Sequence, residues 1–145
     1  MKAGRIDARL TRELRRSVLR PLLGLHDRLP GDEYPDALHY AAWDADGAVR
    51  SACLIAPAVC PWRPDLAPSW VLRQMATWPQ WRGTGAGAAV LCAVVADLGA
   101  GVLWCQAREP AVGFYLRHGF EAEGQVFLDD ELGIAHLRMW RHVSP

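Results

Sequence analysis

The stretch that decides the fold is MATWPQWRGTGAG, residues 75–87. An apolar strand is predicted over residues 70–77, followed by a turn at Pro79 and a helix over residues 85–98. A glycine-rich loop between a strand and a helix directs backbone N–H groups and the positive end of the helix dipole to one point, which favours anion binding. Glycines let the backbone approach a phosphate closely, and Arg82 adds planar donors suited to the same group.

The spacing of the glycines does not fit two other kinds of phosphate-binding loop. A nucleotide triphosphatase loop requires a lysine and a hydroxyl after its last glycine, and neither follows Gly87. A dinucleotide-binding fold requires G-x-G-x-x-G, whereas the spacing here is Gly83-x-Gly85-x-Gly87. Taken alone, the glycines are also compatible with simple packing of a helix against a sheet.

Two further motifs accompany the Gln80-x-x-Gly83-x-Gly85 pattern: VLWCQAR at residues 102–108, and Ala111-x-x-Phe114-Tyr115-x-x-x-Gly119-Phe120. In this order and spacing, the three resemble the acyl-CoA pyrophosphate loop, the fifth strand and the next helix and turn of the GNAT superfamily of N-acetyltransferases. Residues 132–139 (LGIAHLRM) are similar to the ending of small bacterial members. Ala135 stands in place of their proline, and Gln106 in place of the asparagine of many relatives.

The hydrophobic pattern predicts an α/β protein, and 145 residues suit a single domain, residues 1–145. The resemblance implies the GNAT acyl-CoA N-acyltransferase fold, a mixed, mostly antiparallel sheet flanked by helices. Strands are predicted at residues 2–6, 38–43, 49–56, 70–77, 102–107, 120–127 and 134–140, and helices at 10–19, 85–98 and 110–118.

The resemblance also implies acetyl-CoA as co-substrate, with its pantetheine lying along the fourth strand and its pyrophosphate on the glycine loop. Carried over residue by residue, the cofactor-binding set is Met75, Ala76, Thr77, Arg82, Gly83, Thr84, Gly85, Ala86, Gly87 and Gln106. The family's tyrosine near the cofactor sulfur corresponds to Tyr115, which is therefore the predicted catalytic residue.

The chemistry of acetyl transfer to an amine requires a neutral amine and a stabilised leaving thiolate. An alkylamine near pKa 10.4 costs about 4.6 kcal/mol to deprotonate at pH 7. His39, His136 and Glu109 are candidate bases, and the sequence does not choose among them. Full proton transfer from a phenol such as Tyr115 to a thiolate is uphill by about 2 kcal/mol. Hydrogen bonding to the developing thiolate is therefore an equal alternative, and aromatic packing a third.

The predicted function is transfer of the acetyl group of acetyl-CoA to a primary amine of a small molecule or amino acid, by direct attack. The alternative is an acyl-CoA-binding or sensing module without catalysis, which would keep the glycine loop but would not need Tyr115. The acceptor pocket is expected from the N-terminal helix and the loops at residues 27–36 and 57–68.

The composition limits the kinds of partner and the location that are expected for this protein. Sixteen basic and sixteen acidic residues give a net charge of zero, so neither nucleic acid nor a membrane surface is expected as a partner. The N-terminus is charged and no apolar stretch is long enough to span a bilayer, which favours a soluble, cytoplasmic protein. The four cysteines lack C-x-x-C spacing, which favours buried, reduced thiols and no metal site; they are Cys53, Cys60, Cys92 and Cys105.

The helix predicted over residues 85–98 is apolar nearly all round, with Asp97 its only charge. Such a helix is usually covered on both sides. One hypothesis is a homodimer that buries Val90, Val94 or their neighbours against a second subunit, and the alternative is an exposed face of small alanines.

Overall fold

A computed structural model describes residues 1–144. In the order β1-β2-β3-β4-β5-β7-β6, the strands make a mostly antiparallel sheet, in which β4 and β5 are parallel. The elements are β1 (Lys2–Arg5), α1 (Arg12–Leu19), β2 (Leu38–Trp43), β3 (Val49–Pro57), β4 (Ser69–Thr77), α2 (Ala86–Asp97), β5 (Gly101–Arg108), α3 (Val112–Arg117), β6 (Glu121–Leu128) and β7 (Ala135–Val143).

The chain forms two compact units. The first contains residues 1–56 and 72–98, and the second contains residues 57–71 and the chain from Gly99 onward. Strand β4 contributes its first three residues to the second unit and the remainder to the first.

In the first unit, β2 pairs antiparallel with β1 and β3, and helices cover both faces. Leu14 of α1 packs with Ala41 and Ala52 on one face. On the other face the hydroxyl of Tyr40 donates to Asp97 of α2, 2.9 Å away. Because side chains alternate along a strand, neighbouring residues of β2 serve different helices.

The packing of α2 corrects the residues suggested for a dimer. Val90 and Val94 are completely buried within the chain itself, so neither is available to a second subunit. Its exposed side consists of small or polar residues: Cys92, Ala96 and Asp97. The expectation of four buried cysteines was likewise wrong for Cys92, because it lies on this exposed side, while the other three are buried.

In the second unit, β7 lies between β5 and β6 and pairs antiparallel with both. The first residues of β4 run parallel to β5, with Ser69 opposite Val102. The loop before β4 is tied to this sheet through one carbonyl oxygen, that of Ala58, which accepts from Ser69 Oγ at 3.1 Å and from Trp104 Nε1 at 2.9 Å.

The predicted elements all occur, with ends shifted by a few residues. The largest difference is at the end of β7, which extends to Val143 instead of residue 140. At the starts of α1 and α3 a short 3₁₀ turn precedes the helix, at Ala8–Thr11 and Glu109–Ala111 respectively. Pro110 therefore lies in the middle of a 3₁₀ turn rather than at the start of α3. Gly119 follows α3 with φ of +84°, as expected for a glycine that ends a helix.

Candidate functional site

The glycine loop of the first unit is anchored at its start by two tryptophans. Trp78 Nε1 donates to the carbonyl of Val49 at 3.1 Å. The guanidinium of Arg50 lies 4.4 Å from the ring centre of Trp81 and is itself paired with Asp44. The loop therefore begins from a fixed point on β3, although the residues that follow Trp81 are exposed.

Beyond this anchor the backbone turns through two left-handed glycines, Gly83 with φ of +75° and Gly85 with φ of +89°. No atom lies within 4 Å of the position that a Cβ would take at either residue. Gly85 is the N-cap of α2, and no side chain caps the first N–H groups of this helix. The loop thus presents uncapped backbone donors at an open surface, beside the exposed side chain of Arg82.

Strand β4 leads into this loop and carries a backbone irregularity that sequence reasoning missed. Gln74 has φ of +56°, the one positive value recorded for a residue other than glycine in the described chain. A positive φ is uncommon for a residue with a long side chain. The strain that it causes persists only where the surrounding structure enforces the conformation. Nothing in the sequence signals it, because glutamine has no preference for left-handed backbone.

The three residues after Gln74 were predicted to offer their backbone to the pantetheine. Met75 and Thr77 are partly buried and Ala76 is buried. The hydroxyl of Ser51 contacts two of them: it donates to the carbonyl of Ala76 at 3.0 Å and lies 2.8 Å from the hydroxyl of Thr77. This end of β4 is therefore held against β3 by side-chain bonds, which keeps its backbone rigid.

The loop at residues 29–34 is held in the first unit by a buried arginine. Arg15 of α1 is 1% exposed, and its guanidinium donates to Asp32 Oδ1 and to the carbonyl of Pro30, both at 3.1 Å. Arg12 donates to the other oxygen of Asp32 at 3.3 Å. Burial acts to raise the pKa of Asp32, but the Leu29 N–H and the Arg15 guanidinium outweigh it and lower that pKa below its usual value.

His39, the first candidate base, lies on β2 in the same unit. Burial is the main cause that lowers its pKa and the charge of Arg15 the next, while Asp32 and Asp7 act in the opposite direction and Arg5 in the same one. Its Nδ1 is buried with no hydrogen-bond partner among the described residues. The neutral imidazole is therefore favoured, and the same effects make His39 a weaker base than an exposed histidine.

Tyr115, the predicted catalytic residue, lies on α3 in the second unit and is 4% exposed. Its ring makes edge contacts with Phe114 and Phe120, at centroid separations of 5.2 and 5.1 Å. Tyr115 therefore does have the aromatic packing that the sequence analysis gave as one possible role. Because the packing fixes the ring, it is compatible with a positioned hydroxyl as well.

The other two candidate bases also belong to the second unit. His136 Nδ1 lies 2.8 Å from the carbonyl of Ile134. A carbonyl only accepts, so Nδ1 carries a hydrogen. In the neutral ring Nε2 then has the lone pair that a general base requires. Glu109 is exposed at the start of a 3₁₀ turn. Gln106 is exposed on β5, directly opposite Arg138 of β7.

The predicted residues therefore fall into two groups. The first unit brings together Met75 to Thr77 and the loop from Arg82 to Gly87, whereas Gln106 and Tyr115 belong to the second. Within residues 1–144, no cluster of three or more His, Cys, Asp or Glu side chains is arranged to hold a metal ion. No helix of this part of the chain is long and apolar enough to cross a membrane.

Comparison with known proteins identifies the family. The model of the acetyltransferase (GNAT) domain matches residues 35–122, more than half of the 145 residues. This match includes β4, the glycine loop and Tyr115. Among curated proteins, none matches the sequence significantly.

Solved structures give the same fold. An aminoglycoside 6′-N-acetyltransferase complexed with coenzyme A has a TM-score of 0.76 at 13% identity, over 100% of this chain and 98% of that one. An acyl-CoA N-acyltransferase from Pseudomonas aeruginosa has a TM-score of 0.66 at 21% identity, over 97% of each chain. A protein from Corynebacterium glutamicum, described as histone acetyltransferase HPA2 and related acetyltransferase, has a TM-score of 0.62 at 26% identity, over 79% of this chain and 70% of that one.

The family match covers the glycine loop, and the solved structures share the fold over most or all of the chain. The chain belongs to the GNAT family of acetyltransferases.

Proposed function

We propose that this protein is an N-acetyltransferase, which transfers the acetyl group of acetyl-CoA to a primary amine of a small molecule or amino acid by direct attack. The observation that carries the proposal is the loop of the first unit. Two left-handed glycines leave its surface open, and the N–H groups that begin α2 have no side-chain cap. Such a loop suits a pyrophosphate, and a solved structure of the same fold is complexed with coenzyme A.

The residues of the first unit bind the donor in this proposal. Backbone N–H groups from Gly83 to Gly87 and the guanidinium of Arg82 hold the pyrophosphate, and the backbone of Met75 to Thr77 pairs with the pantetheine. Acetyl-CoA supplies the activated acetyl group as a thioester. The left-handed Gln74 fixes where the backbone of the next three residues points, so we assign it a positioning role.

Two side chains of the second unit handle protons. We assign Tyr115 the donation of a hydrogen bond to the departing thiolate, with Gln106 a further contact to the donor. His136 is the better-defined base, because its Nδ1–H is fixed by Ile134 and its Nε2 is free to take the proton of the amine. His39 remains an alternative, since burial keeps it neutral.

The proposal describes one GNAT domain in the cytoplasm of a bacterium, which acts on an amine without a metal or nucleic acid. An acetyltransferase from Corynebacterium glutamicum and an acyl-CoA N-acyltransferase from Pseudomonas aeruginosa, both bacteria, share its fold. Its equal numbers of acidic and basic residues provide no general attraction for polyanions.

The first test of the proposal is thermal stability. Acetyl-CoA should raise the melting temperature, because a ligand at 100 times its Kd adds about 2.7 kcal/mol to the folded state. NAD and ATP serve as controls, since neither matches the loop spacing. An unchanged melting temperature with millimolar acetyl-CoA would contradict the binding assignment.

The second test is free-thiol release from acetyl-CoA in the presence of a panel of primary amines. Release that depends on one class of amine supports the transferase. Tight acetyl-CoA binding with no release for any amine would instead favour an acyl-CoA sensing module.

A further inference from the structure

One face of the sheet in the second unit carries an unusual set of side chains. Residues directly opposite each other in an antiparallel pair project to the same face. The register therefore places three rows on one surface, here named the Gln106 face: Trp104, Trp140 and Glu121; Gln106, Arg138 and Glu123; Arg108, His136 and Phe127. The opposite face carries Arg141, which donates to His118 at the end of α3.

Arg138 lies at the centre of the Gln106 face and is held by aromatic rings. Its guanidinium carbon is 4.7 Å from the ring centre of Phe127 and 5.8 Å from that of Trp62. Phe127 also stacks on His136, and Trp62 packs edge-on against Trp104, 5.1 Å between centroids. These contacts restrict the orientation of the guanidinium plane without using its N–H donors.

The donors of Arg138 are unused among the described residues. The side chain is exposed, and it makes neither an ion pair nor a hydrogen bond with another residue in that part of the chain. Arg15 and Arg141, by contrast, donate to a carboxylate or to backbone carbonyls. Arg138 thus combines an oriented guanidinium with free N–H groups, the arrangement that binds a planar carboxylate through two parallel hydrogen bonds.

We propose that Arg138 binds the carboxylate of the acceptor, which makes the substrate a carboxylated amine such as an amino acid. This rests on the proposed function. Gln106, directly across the strand pair, and His136, two residues along β7, line the same face. Gln106 and His136 each have a role in the proposed acetyl transfer, and those roles were assigned without reference to Arg138. A carboxylate fixed on Arg138 places the rest of the acceptor beside the Nε2 of His136.

The test compares amino acids with their α-carboxamides, which keep the primary amine and lose the carboxylate. The wild-type protein should prefer the amino acid, by its ratio of kcat/KM values. Arg138→Gln should reduce this ratio by about 10- to 50-fold, in the range of a charged hydrogen bond. Arg138→Lys should recover part of it, since lysine keeps the charge and loses the fork.

The matched control is Arg141→Gln, because Arg141 is a second arginine of β7 and lies on the opposite face of the sheet. Its guanidinium donates to the carbonyl of His118, 2.9 Å away, and has no assigned role in binding. Arg141→Gln should leave the ratio unchanged. An equal loss of activity toward both substrates in Arg138→Gln, with the ratio preserved, overturns the inference and leaves the acetyltransferase assignment intact.

A binding measurement separates this inference from the proposed function. Calorimetric titration uses N-acetylglycine and N-acetylglycinamide, which differ only in the carboxylate. Preferential binding of N-acetylglycine that is lost in Arg138→Gln supports the carboxylate site even if no amine is acetylated. Equal affinity for the two compounds, or a preference that Arg138→Gln retains, overturns it.

Discussion

Two arginines, one in each unit, show how the same side chain serves folding or binding. Arg15 is almost fully buried and its guanidinium is bonded to Asp32 and Pro30, so its charge fixes a loop. Arg138 is exposed, and within residues 1–144 its guanidinium lies against aromatic rings without an ion pair, so its charge is available to a ligand. Burial and the partners, rather than residue type, distinguish a structural cation from a binding one.

In the proposed function, the two units also differ in the kind of group that contacts the ligand. The glycine loop of the first unit offers backbone N–H groups, whereas the second unit offers the side chains of Tyr115, His136 and Arg138. Substitutions should therefore act differently. In the second unit a small change to one side chain should alter the rate or the specificity. In the first, apart from the side chain of Arg82, cofactor binding should depend on the backbone conformation of the loop.

Tyr115→Phe should produce the largest effect. It keeps the ring that packs on Phe114 and Phe120 and removes the hydroxyl alone. Loss of one donor to a developing anion lowers kcat by about 10²- to 10³-fold. Steady-state kinetics should show this fall at unchanged affinity for acetyl-CoA.

Tyr40→Phe is the matched control, because it removes a tyrosine hydroxyl outside the proposed site, one that donates to Asp97. It should lower the free energy of unfolding by about 1 kcal/mol and leave kcat unchanged. Equal kcat values for Tyr115→Phe and the wild type would reduce Tyr115 to a packing residue.

Asp32→Asn should destabilise the protein by about 3 kcal/mol, because it leaves the guanidinium of Arg15 buried without its negative partner. The free energy of unfolding in urea measures this loss. Asp7→Asn is the control: it breaks the exposed pair with Arg9 and should cost much less. Equal losses for the two variants would show that burial does not strengthen the Arg15 pair.

The conformation of the glycine loop is easier to predict from the sequence than the arrangement of side chains on the Gln106 face, for a physical reason. The glycine loop is a local feature: its strand, turn and helix are adjacent in the chain, and Gly85 has the left-handed conformation that its position implied. The Gln106 face depends on the register of β5, β6 and β7, so no local pattern reveals that Gln106 meets Arg138.

Burial was similarly hard to predict. Arginines are mostly exposed in proteins, but Arg15 of the N-terminal helix is buried because a loop 17 residues later supplies Asp32. The apolar α2 suggested a missing partner, although its own sheet buries Val90 and Val94. The strained backbone of Gln74 is a tertiary effect that no preference of glutamine predicts.

Gly85→Ala should weaken acetyl-CoA binding about tenfold, because alanine at φ of +89° is strained and the loop relaxes away from its phosphate-binding form. Gly47→Ala is a close control. Gly47 has φ of +81°, it also has nothing within 4 Å of a Cβ, and it lies in the β2–β3 turn.

The two glycine variants should therefore lose similar folding stability, and only Gly85→Ala should lose cofactor affinity in calorimetric titration. If both variants bind acetyl-CoA as the wild type does, the backbone of this loop is not the phosphate site.

His39→Gln should have the smallest effect, confined to the dependence of stability on pH. Burial, with Arg15 and Arg5 nearby, lowers the pKa of His39 in the folded state, so the unfolded chain binds the proton more readily. The protein is therefore fully stable with respect to this group above the pKa of the unfolded state, near 6.5. Its free energy of unfolding declines as the pH falls through that value toward the folded pKa, because the unfolded chain takes up the proton first. His118 contributes in the same direction, because burial and the charges of Arg117 and Arg141 lower its pKa too. Urea unfolding between pH 7.5 and 5 should therefore show a shallower loss of stability in His39→Gln than in the wild type, and a shallower one still when His118→Gln is added. Parallel curves for His39→Gln and the wild type would contradict the lowered pKa, because they would mean that His39 titrates in the folded protein as it does in the unfolded chain.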